Sequence, residues 1–381
     1  MSNTGHRKPP LVADKRYNKP KPKPKSKPAK PRARKKKSGN RVIGAIIGVF
    51  RWILRLVWSF SWRVGLLSAI VLALAVGYFV STLPTLNALL DGRARGSVTL
   101  LDQNGAVFAW RGDQFGGVVT AQTVSPNLKN AIVATEDKRF YSHFGISPRG
   151  IASAVRINLR EGRGPLSGHG GSTITQQTAK LLCLGVPFDP NAWKDEAAYE
   201  ADCRQGSLWR KAKEALFAMA MEVKYSKDDI LTIYMNRAFL GAGARGFEAA
   251  AQRYFGISAA EVSPAEAAML AGLLVAPTRY APTNNLQRSQ DRAGVIIGLM
   301  QDQGYISANE AQTALSNPAV LSAAAAAKAG GYFADWVMSS GPEFFTRNTT
   351  EDVIIKTTLD QRIQRATEEA MNYIFENKVR E

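Results

Sequence analysis

Three short stretches of the sequence carry groups that packing alone does not require. The first runs Glu136-Asp137-Lys138-Arg139-Phe140-Tyr141-Ser142-His143-Phe144-Gly145, directly after the apolar residues 131–134. Two adjacent carboxylates at the edge of a buried segment can include one whose pKa is raised by lost hydration, the property a general base needs. On their own they also suit a solvated helix end. The second stretch is Gly170-Gly171-Ser172-Thr173-Ile174-Thr175-Gln176-Gln177, closing at Lys180. Its glycines free the backbone, and the hydroxyls and amides that follow are dense enough to grip a sugar or a phosphate, or simply to form a polar loop. The third is Arg210-Lys211-Ala212-Lys213-Glu214, where Arg210, Lys211 and Glu214 share one helical face. Such a group suits either ordinary helix ion pairs or, where the helix is buried, a site that handles an anion.

The elements that must position these groups can be read from punctuation and period. Asn104-Gly105, flanked by alternating residues, predicts a hairpin over residues 97–111. Helix starts are marked by Ser147 before Pro148, Ser226 with Asp229, Ser263-Pro264 with Glu266, and Ser307 with Glu310. The body is therefore mainly α with a small β-element. Ser207 opens a helix that is apolar on nearly every side (Ala212, Ala215, Leu216, Phe217, Ala218, Met219, Ala220, Met221), which predicts a central buried helix. The cysteines, Cys183 and Cys203, bracket a stretch that reads as a surface loop. A disulfide closing it is the expectation in an oxidising compartment, and two free thiols are the alternative. Residues 323–327 are a run of alanines before the break Gly330-Gly331, residues 352–358 read as a strand and 361 onward as a helix.

The 381 residues hold 50 Lys+Arg against 31 Asp+Glu, a formal charge of +19 that suggests a nucleic-acid ligand until it is located. Nearly all of the surplus precedes residue 64. Residues 1–41 alternate Lys and Pro and read as a disordered basic tail. Residues 64–83 are uncharged and apolar, enough helix for the ~30 Å of a bilayer core, and predict one transmembrane helix. A basic flank before a span is a topology determinant rather than a nucleic-acid ligand, so the N-terminus is expected in the cytoplasm and residues 84 onward outside. Residues 42–63 carry Arg51, Arg55 and Ser59 on one face beside Trp52, Trp58 and Trp62, an amphipathic interfacial pattern. A second span with snorkelling arginines is the alternative.

In order and spacing the three stretches resemble the signature motifs of the peptidoglycan glycosyltransferase module of class A penicillin-binding proteins and monofunctional transglycosylases. The similarity continues through Lys227, Ile230, Leu231, Tyr234 and Asn236, through Arg245-Gly246 and Tyr254-Phe255-Gly256, and from Glu266 to Pro277 and Arg292 to Met300. The resemblance implies a lysozyme-like, mostly helical domain over residues 84–330, preceded by one transmembrane helix. Such a domain polymerises lipid II on the outer face of the bacterial cytoplasmic membrane during cell-wall synthesis. Glu136 matches the catalytic base, which takes the proton of the acceptor 4-hydroxyl as that oxygen attacks C1 of the donor with inversion. Glu214 matches the second glutamate, near the donor pyrophosphate, where a divalent cation (Mg²⁺ or Mn²⁺) is expected. Lys180, Arg210 and Lys211 match cations that stabilise the departing undecaprenyl pyrophosphate. Asp137, Ser172, Thr173, Gln176 and Gln177 are expected to hold sugar and phosphate, and Phe140, His143 and Asn236 to keep the motifs in shape. The implied partners are lipid II, the growing glycan strand, the bilayer and other cell-wall synthesis proteins.

This chain departs from the pattern in places. Ser153 stands where the family often has Arg, with Arg156 one turn on; Gly206 does likewise, near Arg204; Leu181 follows Lys180 where Asn is usual, and Thr232 replaces a common Glu. Residues 352–360 resemble the run-in to a penicillin-binding transpeptidase domain, so residues 331–381 are expected to be a linker and the start of that domain. The residues present hold no Ser-x-x-Lys or Lys-Thr-Gly, and no acylation by a labelled penicillin is expected. Two other readings are a lysozyme-like enzyme that cuts glycan, which would need no cation cluster beside its second carboxylate, and an inactive membrane-anchored scaffold.

Overall fold

The computed structural model describes residues 41–90, 98–111, 116–165, 167, 168, 170–186, 188, 189, 191–194, 196–203, 205–322, 325, 331–341 and 353–377. The basic tail before Arg41, most of the alanine run, His6, His169 and Arg204 lie outside the described residues. The chain divides into two units, residues 1–65 and 66–381. Helix α1 (Arg41–Thr82) begins in the first. Its apolar part, Ile46–Thr82, is 37 residues with none of its most apolar stretch buried. As an α-helix that is ~55 Å, against ~30 Å for a bilayer core. The helix does not break near residue 63, between the interfacial pattern and the uncharged span, since no proline stands there to stop it.

In the second unit the elements after α1 are α2 (Leu86–Leu90), β1 (Val98–Leu101), β2 (Val107–Arg111), α3 (Pro126–Glu136), α4 (Pro148–Arg160), α5 (Ile174–Leu181), α6 (Glu196–Cys203) and α7 (Leu208–Lys224). There follow α8 (Lys227–Arg237), α9 (Phe247–Phe255), α10 (Pro264–Gly272), α11 (Pro277–Tyr280), α12 (Leu286–Asp302) and α13 (Ala308–Ser316). The caps form as the sequence predicts. Ser147 and Ser207 accept from the backbone N–H three residues on, and Ser226, Ser263 and Ser307 close full capping boxes with Asp229, Glu266 and Glu310.

The central helices are α8, buried from Ile230 through Asn236, and α10, where Pro264 and Glu266 alone stay outside the core. α10 packs on α3 and α12, and α5 on α7 and α8. The helix opened by Ser207 is not the central one. Phe217, Ala218, Ala220 and Met221 are buried, but Ala212 and Lys213 are exposed and Trp209 is 71% exposed. Alanines read as core leave little area to hide, so one face of α7 suffices. Cys183 and Cys203 form a disulfide. The stretch between them, read as a loop, contains α6, whose Glu-Ala-Ala-Tyr-Glu-Ala sequence is rich in good helix formers.

The hairpin joins residues far along the chain. β1 pairs antiparallel with β2 and parallel with β3 (Val353–Lys356), Val98 standing opposite Val353. The turn spans residues 102–106 rather than two residues, because the Asp102 carboxylate accepts from Asn104 N and Ala106 N. Val98, Leu100 and Phe108 need a cover, which Ala334 of the helix Gly331–Ser340 and Leu359 help to supply. The helix Gln361–Asn377 follows β3.

Asn236 bonds both backbone groups of Val119 across α8 (2.7 and 3.0 Å) and also donates to Thr232 O (2.7 Å). Replacing it with Leu would leave those groups unpaired in a dry site. Asn236→Leu is expected to destabilise the folded protein by about 3 kcal/mol, read from the shift of its denaturant midpoint.

Candidate active site

Glu136 ends α3, and its carboxylate is positioned from the side. Gln177 Nε2 donates to Glu136 Oε2 (2.8 Å), while Gln177 Oε1 accepts from the hydroxyl of Tyr234 (3.1 Å). Tyr234 is buried on α8, so the phenol fixes which end of the amide faces the carboxylate. Burial, the largest influence, raises the Glu136 pKa above the usual carboxylate value; the Gln177 bond and the Arg292 charge pull it back, and Asp137 adds to the rise. A half-buried carboxylate with one directed donor is suited to take up a proton.

The neighbouring Asp137 turns the other way. Its Oδ2 accepts from His143 Nε2 (2.7 Å) and from Ile174 N (3.2 Å), the first backbone N–H of α5. Asp137 is thus committed to joining the end of α3, the His143 turn and the start of α5, although the sequence pattern suggests a sugar ligand. Phe140 is buried under Lys227, whose Nζ stands 4.6 Å from the ring centroid.

The glycine-rich stretch leads into α5. Gly171 passes so close to α4 that a Cβ there would lie 2.7 Å from Ile151 Cα. Thr173 caps the helix, accepting from Gln176 N (3.1 Å) and donating to Gly145 O (2.6 Å), while Gln176 Oε1 accepts from Thr173 N (3.1 Å). Both side chains are buried, at 1% and 4% exposure. The capping box engages Thr173 Oγ1 and Gln176 Oε1, and Thr173 also lines the cleft beside Glu136. Ser172 and Gln177 face outward to the other two stretches.

At the head of α7, Arg210 Nη1 donates to Glu214 Oε2 (3.0 Å), and Lys211 Nζ donates to Glu214 Oε1 and to Ser172 Oγ (2.8 Å). Glu214 is 1% exposed, and a carboxylate so buried needs both cations. Lys180 is exposed in the last turn of α5, about 9 Å along the helix axis from Ile174. A cleft of about 590 Å³ is lined by Glu136, Arg139, Ser153, Gly171, Ser172 and the end of α12. Lys211, through Ser172, stands at its rim.

From α12, Leu299, Asp302 and Gln303 line this cleft, and Gln303 Nε2 donates to Ala134 O (3.0 Å). Nothing in the local pattern marks them, since they reach the cleft only because α12 packs on α3. Of the departures, Ser153 is in the lining, Arg156 and Gly206 are exposed outside it, Leu181 is half-buried, and Thr232 Oγ1 accepts from Ala121 N (3.0 Å) in the core. Both oxygens of the Glu214 carboxylate are held by Arg210 and Lys211, and among the described residues no three His, Cys, Asp or Glu side chains converge, so a divalent cation there would draw its remaining oxygens from a bound phosphate and water.

Comparison with known proteins gives a consistent picture. The family model described as Transglycosylase matches residues 104–301. Penicillin-binding protein 1A of Aquifex aeolicus is 37% identical over 276 residues, which cover 71% of this chain and 35% of that protein. Penicillin-binding protein 1A of Escherichia coli is 31% identical over 298 residues, 77% of this chain and 32% of that one. The crystal structure of penicillin-binding protein 1A from Haemophilus influenzae is 21% identical with a TM-score of 0.39, covering 76% of this chain and 30% of that chain. The chain spans about a third of the length of these curated relatives.

The Gln177 bond stabilises the charged form of Glu136, so removing it acts in one direction. Gln177→Ala is expected to raise the pKa of Glu136 further, followed by carboxyl ¹³C NMR; an unchanged or lowered value would contradict the arrangement.

Proposed function

Because this chain belongs to the transglycosylase family, we propose that it is a peptidoglycan glycosyltransferase that polymerises lipid II into glycan strands. The observation that carries the reading is a carboxylate of raised pKa in a cleft whose lining residue Ser172 is bonded by Lys211, which shares Glu214 with Arg210. The carboxylate and the cations each answer one demand of the reaction. The 4-hydroxyl of the acceptor sugar passes its proton to Glu136 as its oxygen attacks C1 of the donor. The bond from C1 to the pyrophosphate oxygen breaks on the opposite face, with inversion, and the electron pair leaves on undecaprenyl pyrophosphate.

The leaving group gains charge as it departs, and fixed cations stabilise that charge more than they stabilise the substrate. Lys211 and Arg210 serve this role, with Lys180 further along α5. Glu214 holds the two α7 cations in register through its ion pairs with both. Gln177 keeps Glu136 aimed while burial holds its pKa above the usual value.

The apolar helix supports a single-pass anchor. We assign the basic N-terminal side to the cytoplasm and the cleft to the outer face, where other cell-wall synthesis proteins are its natural partners.

The test uses detergent-solubilised protein and fluorescent lipid II, with polymer read on a gel. Wild type should make polymer and Glu136→Gln should lose on the order of a hundredfold or more, the scale for removing a general base. Since the base works ionised, the rate should rise with pH through the raised Glu136 pKa. Cleavage of preformed glycan without polymer would turn the reading to a hydrolase, and neither activity would favour the scaffold.

A further inference from the structure

The disulfide-closed lobe between the second and third stretches has no part in the chemistry above, yet its neck joins the two cationic elements. Cys183 lies three residues after Lys180, and Cys203 lies four before Ser207, the cap of α7. Two features make this neck unusual. The first is its backbone. Cys183 (φ 47°) and Leu184 (φ 55°) are consecutive non-glycine residues in the left-handed region, followed by Gly185 at φ 80°. For L-residues this conformation crowds Cβ against the carbonyl, and it persists where the surroundings hold it. The turn is pinned by the bond to Cys203, by Gly185 N donating to Leu182 O (2.9 Å), and by Gly185 lying against the Phe217 ring of α7.

The second is the lead into α7. Gln205, Gly206 and Ser207 are exposed, and a Cβ on Gly206 would meet nothing within 4 Å. The first turns of α7 are also largely exposed, so little packing fixes them. The lobe itself is well made, with Tyr199 edge-on to both Phe188 and Trp193 and Trp193 Nε1 donating to Asp202 (3.3 Å). The cross-link adds a covalent tie between this lobe and the end of α5, beside the packing of α5 on α7, the Thr175–Glu222 hydrogen bond (2.6 Å) and the Lys211–Ser172 bond.

We propose that the Cys183–Cys203 bond is a positioning element for the anion-binding end of the cleft. It holds the left-handed turn after α5 and fixes the approach to α7, and so sets Lys211 and Arg210 against Ser172 and in relation to Lys180. The base end is held separately, by Asp137 on Ile174 N and by Tyr234 through Gln177. Loss of the bond therefore weakens recognition of the anionic group and leaves the titration of Glu136 alone. This inference rests on the reading of Arg210 and Lys211 as anion ligands.

The experiment compares wild type with Cys183→Ser/Cys203→Ser, at a temperature where melting curves show both folded. It measures inorganic pyrophosphate binding by calorimetry, KM for lipid II, and the acid limb of the pH–rate profile. The double variant should weaken pyrophosphate binding and raise KM, each on the order of tenfold, with the acid limb in place. A third protein, Cys183→Gly/Leu184→Gly/Cys203→Ser, lets the turn form without steric cost and should recover most of the loss. Unchanged binding and KM, a shifted acid limb, or no recovery with the glycines would overturn the proposal, as would a wild type that does not bind pyrophosphate. A wild type that binds pyrophosphate but makes no polymer would instead count against the glycosyltransferase reading.

Discussion

The arrangement depends on where one carboxylate goes. Asp137 follows Glu136, yet it faces the interior, spending one oxygen on His143 and on the first N–H of α5. A helix N-terminus presents unpaired donors and partial positive charge, so an acid placed there is held by hydrogen bonding and by the dipole together. That contact brings the end of α3 to the start of α5 and so carries Gln177, one turn along α5, to the Glu136 carboxylate. Without it the two tasks of the first stretch, anchoring and proton uptake, would fall on one group. Dividing them between adjacent acids lets one be bonded to His143 and the start of α5 while the other remains half-buried with its pKa raised.

The other side of the cleft is built on a different balance. Glu214 is nearly inaccessible, and a lone buried carboxylate would be costly. Arg210 and Lys211 come from one and the same helix, at i−4 and i−3, so the cap at Ser207 that starts α7 also sets the register of the ion pairs. Lys211 then reaches Ser172 and, further along α7, Glu222 accepts from Thr175 (2.6 Å), so two side-chain bonds link α7 to the glycine-rich stretch. The cations keep donor capacity beyond Glu214, which is what a charged ligand at the rim requires.

Much of this was legible in the sequence because it is local. Caps, the hairpin signal and the apolar span each depend on neighbours within a few residues; the caps appear where the pattern puts them, while the hairpin turn is longer and the apolar helix starts earlier than it suggests. The three stretches were legible as chemistry for the same reason. What the sequence hid is long-range. Hydroxyls and amides look alike in sequence whether they face a substrate or close a capping box, as those of Thr173 and Gln176 do. Asp302 and Gln303 enter the cleft through the packing of α12 on α3, and β3 completes the hairpin from more than two hundred residues away, with Val353 opposite Val98. The prominence of α7 was overread because alanine satisfies an apolar pattern without demanding burial, whereas the buried helices α8 and α10 carry Ile, Leu, Met and Tyr among their core residues.

The two ends of the cleft therefore have different physical supports, and this matters for how the site can vary. The proton-accepting end is embedded in the main core, where Tyr234, Gln177 and Asp137 are tied to α8 and α5, and a change in any one reaches packed neighbours. The cationic end sits on exposed turns joined by a polar lobe and a covalent link. Burial supplies the raised pKa of Glu136, and exposure leaves Lys211 accessible at the head of α7. A site that must desolvate a base and yet admit an anion cannot be uniformly buried. The dry core around α8 and the cross-linked, solvated head of α7 are the two halves of that requirement.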